Sequence, residues 1–162
     1  MATNLPIPIE FSLPAGWRPA PPDEVGAPQA AFVALHPRPD DGFTANITIS
    51  GEFRPDAASL EAIADDALER VRAFATNVEV SKRKALGTES SPGFAQSVSM
   101  TVDVKGRTRD LVQRQLFMAY VDAEDSRKRV VLQLTLTATP GQLDEATTDF
   151  HAFIATVQPD RS

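Results

Sequence analysis

The chain has 162 residues, 42% hydrophobic and 23% charged, which fits one folded domain spanning 1–162 and excludes wholesale disorder. A net charge of -6, with no stretch that clusters Lys or Arg enough to reverse it locally, repels phosphate backbones and anionic lipid, so nucleic acid is not an expected partner. With no cysteine, disulfides, thiolate metal sites and cysteine nucleophiles are all excluded.

The opening MATNLPIPIEF lacks the basic region and apolar stretch of a secretory leader, and no later window approaches a membrane span. The expectation is a cytoplasmic protein without membrane insertion, or an extracytoplasmic one if a leader has been removed. Ile7, Ile9, Phe11 and Leu13 alternate as in a strand with one buried face, and Pro14-Ala15-Gly16 stops it. The following WRPAPPDEVGAPQ, residues 17–29, is too rich in Pro and Gly for helix or internal strand and reads as a surface connection. AAFVALHP is apolar at both parities, the mark of a strand covered on both sides. TANITISGEF returns to alternation through Ala45, Ile47 and Ile49, after the turn-like RPDDGF.

Beyond Arg54-Pro55 the period becomes helical, with Leu60, Ile63, Ala64, Ala67, Leu68, Val71 and Phe74 on one stripe. Asp56 or Ser59 is placed to cap the first amides, and Glu61 suits the positive end of the helix dipole. VEVSKRKALGTES reads as a fourth strand, exposed along part of its length. Three longer strands follow. Phe94, Val98, Met100, Val102 and Val104 share one side of the fifth; Val112, Leu116, Met118 and Tyr120 one side of the sixth; Val130, Leu132, Leu134 and Leu136 one side of the seventh. The turn-like links VKGRT and VDAEDSRK predict an antiparallel meander. In TPGQLDEATTDFHAFIATV, Thr139, Pro140 and Gln142 predict a capping box, and Leu143, Ala146, Phe150, Phe153, Ile154 and Val157 supply an apolar stripe ended by Pro159.

Three strands, a helix, four strands and a last helix predict an α+β domain: a twisted, mainly antiparallel sheet of six to seven strands with two helices packed on it. This order, with the motifs Pro14-x-Gly16-Trp17 and Asn46-Ile47-Thr48, resembles the PsbP-like fold, an α/β/α sandwich. That group takes in photosystem extrinsic proteins, a Ran-binding nuclear protein, DcrB-related proteins and LpqN lipoproteins. The resemblance implies a structural role for Trp17, its indole covering one end of the sheet beside the first strand and its ring nitrogen reaching a carbonyl.

Motifs of catalysis are missing. His36, at a strand end, and His151, in the last helix, have no His or Cys at ligand spacing and read as surface or edge histidines, so no metal and no cofactor is expected. Asp40-Asp41-Gly42 lacks the ligands of a calcium loop and reads as a turn. Asp65, Asp66 and Glu69 fall on the polar side of the first helix, where solvation accounts for them. Asn46-Ile47-Thr48 has the form of a glycosylation acceptor but lies in a predicted strand. No nucleophile elbow, phosphate loop or dinucleotide fingerprint occurs, and the expectation is a protein that is not an enzyme.

The other parity of the meander carries Ser97 and Ser99, then Gln113, Gln115 and Phe117, then Gln133 and Thr135, polar yet uncharged. Such a face suits repeated contact with another protein; it also suits a threonine-rich solvent face, or one covered by the second helix. Arg114 interrupts the even pattern and points to a carboxylate partner at the sheet edge or to a bulge. The reading that follows is a non-enzymatic binding or adaptor module, monomer or homodimer, using these seven residues to hold another protein. The resemblance to DcrB-related adaptors implies a secreted effector or membrane-associated client. The alternative is a carrier of a small apolar ligand between sheet and helix.

Overall fold

The long alternating runs of the second half pair into the middle of a sheet, and everything else is arranged around them. The computed structural model describes residues 9–22, 30–40, 42–56, 58–88, 92–104, 106–121, 125 and 128–159. In chain order these form β1 (Ile9–Glu10), β2 (Arg18–Ala20), β3 (Phe32–Leu35), β4 (Asn46–Phe53), α1 (Leu60–Arg72), β5 (Thr76–Gly87), β6 (Pro92–Val104), β7 (Arg107–Val121), β8 (Arg129–Ala138), α2 (Leu143–Ile154) and β9 (Gln158–Pro159). A seven-stranded sheet, antiparallel throughout, has the order β2-β3-β4-β8-β7-β6-β5, and β1 pairs with β9 outside it. The fold is α+β, with a helix on each face of the sheet. No described helix is long and apolar enough to cross a membrane.

Each helix closes its own apolar layer. On one face, Ala146, Phe150 and Phe153 of α2 pack on Ile47, Ile49, Leu132, Leu134 and Leu136, all from odd positions of β4 and even positions of β8. On the other, Ile63, Ala64 and Ala67 of α1 meet Phe94, Phe117, Ala119 and Val131, while Leu68 and Val71 meet Val98, Met100 and Leu111. Two-sided burial explains why Val33 and Ala34, neighbours in β3, are both inaccessible. The Ser59 hydroxyl accepts from the Ala62 amide at 3.1 Å and caps α1. Ser59→Ala should cost about 1 kcal/mol, read as a shift in the urea midpoint at unchanged slope. Asp56, the other candidate cap, is instead held by Arg54 through two bonds of 3.0 and 2.9 Å, which keep its carboxyl below the usual carboxylate range.

Several expectations are corrected. The first strand does not enter the main sheet: Ile9 and Glu10 pair with Pro159 and Gln158, and Ile7 lies outside the described residues. The alternation is real, because Ile9, Phe11 and Leu13 lie over the α2 layer as a cover, with Phe11 edge-on to Phe32 at 4.9 Å and to Phe153 at 5.4 Å. Part of the expected surface connection is an edge strand, β2, where Pro19 pairs with Ala34; an outermost strand tolerates proline because its outward side needs no donor. Residues 23–29 of that connection lie outside the described residues. The fourth strand, β5, is the opposite edge and is mostly exposed, with register shifts between Thr76 and Glu79 and between Ser81 and Lys84; Asn77 and Lys82 each take a φ of 52° there.

The predicted capping box does not form. The Gln142 side chain makes no cap bond and donates to the Arg38 carbonyl at 3.1 Å, while the Thr139 hydroxyl donates to Asp40 at 2.5 Å. Both side chains tie the start of α2 to the loop after β3. Phe74, assigned to the buried stripe of the first helix, falls just past its end and is 62% exposed. His36 is not a surface histidine but 2% exposed, whereas His151 is exposed as expected.

Trp17 plugs the core. Gly16, at φ 86°, completes a turn in which the Trp17 amide donates to the Pro14 carbonyl at 3.1 Å, and the indole drops into the α2 layer, 6% exposed. Its Nε1–H donates to a carboxylate, Asp149 Oδ2 at 2.9 Å, in place of the expected carbonyl, and its ring lies edge-on to His36 at 5.2 Å.

Candidate binding groove

Side-chain parity assigns faces within a strand; register relates one strand's faces to the next. Leu116 stands opposite Leu134, so β7 and β8 keep the same parity on the same face. Phe94, however, stands opposite Phe117 and Ala95 opposite Leu116, which puts the even residues of β6 with the odd residues of β7. The seven residues expected to share one surface are thereby divided. Ser97 and Ser99 lie on the α2 side of the sheet, while Gln113, Gln115, Phe117, Gln133 and Thr135 lie on the α1 side. Ser97 is buried there and accepts from Arg114 Nη1 at 2.5 Å. Arg114 therefore finds a hydroxyl rather than a carboxylate, and pairing runs through it unbroken, without a bulge.

On the α1 side, the helix lies toward the β5–β6–β7 half and leaves the surface beside it open. A groove of about 530 Å³ results, with Gln113, Gln133 and Thr135 along its sheet wall and Thr48 and Ser50 continuing that wall on β4. Phe117 and Val131, both buried, lie beneath its floor, Ile63, Ala67 and Val71 form the helix wall, and Phe74 stands exposed at the rim. Among the described lining residues the ionisable ones are Glu52 and Arg70.

A chain of hydrogen bonds fixes the amides. Asp65 on α1 accepts from Arg83 Nη2 at 2.6 Å, and Arg83 Nε donates to Gln96 Oε1 at 3.0 Å. Gln96 Nε2 donates to the Ala64 carbonyl at 3.1 Å and to Gln115 Oε1 at 2.8 Å, and Gln115 Nε2 donates to Gln113 Oε1 at 2.8 Å. Gln115, 2% exposed, thus acts as a buried link that positions Gln113. Among the described residues, the Gln113 amide nitrogen meets no partner. Gln133 accepts from Arg70 Nη2 at 3.4 Å and donates to Thr135 at 3.2 Å.

Sequence reasoning missed Thr48, Ser50, Arg70, Phe74 and Gln96. The signal for Thr48 and Ser50 was present: they alternate with Ile47 and Ile49 and so must face away from the layer those isoleucines fill. Gln96 was placeable only with the register, since it sits among the apolar even residues of β6. Asp65 and Glu69 stay on the outer side of α1 as expected, each paired, with Arg83 and Arg72 respectively.

No protein-family model and no curated protein matches this sequence. Solved structures do match the backbone. LpqN of Mycobacterium tuberculosis, described as involved in cell envelope biogenesis, superposes with a TM-score of 0.60 at 14% identity, covering 93% of this chain and 83% of its own. Cyanobacterial PsbP (CyanoP) of Synechocystis sp. PCC 6803 gives 0.58 at 13% identity, covering 94% and 86%. The Ran-binding protein Mog1p of Saccharomyces cerevisiae gives 0.56 at 12%, covering 93% and 89%. The sandwich is the PsbP-like fold.

Proposed function

We propose that this PsbP-like domain is a non-enzymatic binding module that seats an uncharged polypeptide segment of another protein in the groove between α1 and the sheet. The observation that carries the reading is the lining: donor and acceptor side chains in a row along apolar surface, with an exposed phenylalanine at the rim. Amides and hydroxyls of this kind satisfy main-chain groups of a segment regardless of its sequence, while Phe74, exposed at the rim, favours one apolar side chain among them. The ionisable groups at the groove, Glu52 and Arg70, are not a converging acid and base, since Arg70 is turned to Gln133; this supports binding over catalysis. The Ran-binding description of one structural neighbour supports protein recognition by this fold. A small apolar ligand is the rival occupant on volume alone, but the polar wall would leave amides unpaired against it.

A photo-crosslinking amino acid in place of Phe74 should capture a polypeptide in cells, and one in place of Phe53, 53% exposed on the other face by its parity, should not. Gln113→Glu or Gln133→Glu should weaken that partner by about tenfold or more, by placing an unpaired charge in the contact. Equal capture from Phe53, no capture from Phe74, or a small molecule retained on native mass spectrometry and displaced by neither substitution would reject the reading.

A further inference from the structure

The opposite side of the sheet holds a second cluster that the groove does not use. His36 follows β3, and the Arg38 main chain braces its ring: the Arg38 amide and carbonyl both lie 3.0 Å from Nδ1. Nε2 faces α2, where Glu145 and Asp149 are four residues apart and so share one side of the helix. Nε2, a Glu145 oxygen and an Asp149 oxygen all lie within 4.8 Å of one another. We propose that His36, Glu145 and Asp149 form a binding site for a first-row divalent cation of the zinc class.

Three properties support it. The donors suit such an ion: one imidazole disfavours Mg²⁺ and Ca²⁺, two carboxylates disfavour a soft monovalent ion, and three protein ligands leave positions for water. The spacing suits it as well, since ligands about 2.0–2.2 Å from a metal stand roughly 3.0–3.5 Å from each other, a closure within reach of a half-exposed glutamate. The first ligands are also oriented from behind, as metal ligands are: Asp149 by the Trp17 indole at 2.9 Å and His36 by the Arg38 main chain.

The protein partners of these groups yield without strain. Arg38 Nη2 lies 3.2 Å from Glu145, but both side chains are more than half exposed, and an ion pair of that kind is weak enough to swing aside. His36 has two neutral forms. When Nδ1 accepts from the Arg38 amide, Nε2–H makes a long 3.4 Å bond to Glu145; when Nδ1–H donates to the Arg38 carbonyl, the Nε2 lone pair faces two carboxylates. A cation stabilises the second form, so binding exchanges one main-chain partner of the ring for the other.

Trp17 is the chain's only tryptophan and touches two of the three ligands, so it reports occupancy directly. Titrating the full chain, without a histidine tag, with Ni²⁺ or Co²⁺ should quench Trp17 emission to saturation at one ion per chain, and Zn²⁺ should compete and restore it. Glu145→Gln, a half-exposed change that leaves the Trp17 bond intact, should weaken binding by about tenfold or more, and His151→Asn, at the exposed histidine, should leave it unchanged. Absence of saturable quenching, full affinity in Glu145→Gln, or loss of quenching in His151→Asn would overturn the assignment.

Discussion

Phe117→Ala is expected to lower the unfolding free energy by about 3–5 kcal/mol, the range for removing a fully buried aromatic side chain. Phe117 has no accessible surface and is packed by Ile63, Ala64 and Ala67 from α1 and by Phe94, Ala119 and Val131 from the sheet. A helix anchored at both ends, by Ser59 and by Leu68 and Val71, cannot slide inward to fill the space, so the cavity persists and its cost is felt in full. Urea unfolding followed by far-UV circular dichroism and by Trp17 emission, which probe different layers, should give coincident midpoints. Phe74→Ala should stay within about 0.5 kcal/mol of the parent, because the ring is already in water. A small loss for Phe117→Ala would mean that α1 does not pack as described.

Trp17→Ala should cost a similar amount, about 3–5 kcal/mol, for two reasons that a second variant separates. The indole fills space in the α2 layer and also gives Asp149 its donor. Trp17→Phe keeps most of the apolar area and removes the N–H, so the difference between parent and phenylalanine variant reports the charge-assisted bond, about 1.5–3 kcal/mol. Both variants lack the fluorophore and are followed by circular dichroism. If Trp17→Phe is as damaging as Trp17→Ala, shape at this corner matters more than the hydrogen bond.

Local signals located most elements, because a strand or helix announces itself by period, and the Leu132-Leu134-Leu136 set or the Ile63-Ala64-Ala67 stripe needs nothing beyond its own segment. What local signals do not carry is the offset between segments. The register that stands Phe94 opposite Phe117 is fixed by the reach of the turn and by competition between two apolar layers, and it alone moved Ser97 and Ser99 to the other side. Gln113, Gln115, Phe117, Gln133 and Thr135 did assemble, since β7 and β8 pair in matched parity. His36 was misjudged for a related reason: its burial comes from Trp17 and α2, elements far away in the chain. The false capping box shows the converse, with a familiar spacing at Thr139 and Gln142 overruled by better partners, Asp40 and Arg38.

The two borders of the large sheet have a colloidal consequence. One border is a three-residue strand containing Pro19; the other is twice interrupted, at Asn77 and Lys82, and carries Lys82, Arg83 and Lys84 in succession. Neither offers a neighbouring molecule the flat, unbroken row of amides and carbonyls on which one copy zips to the next. Edge-to-edge pairing of one copy with the next is thereby disfavoured at both borders.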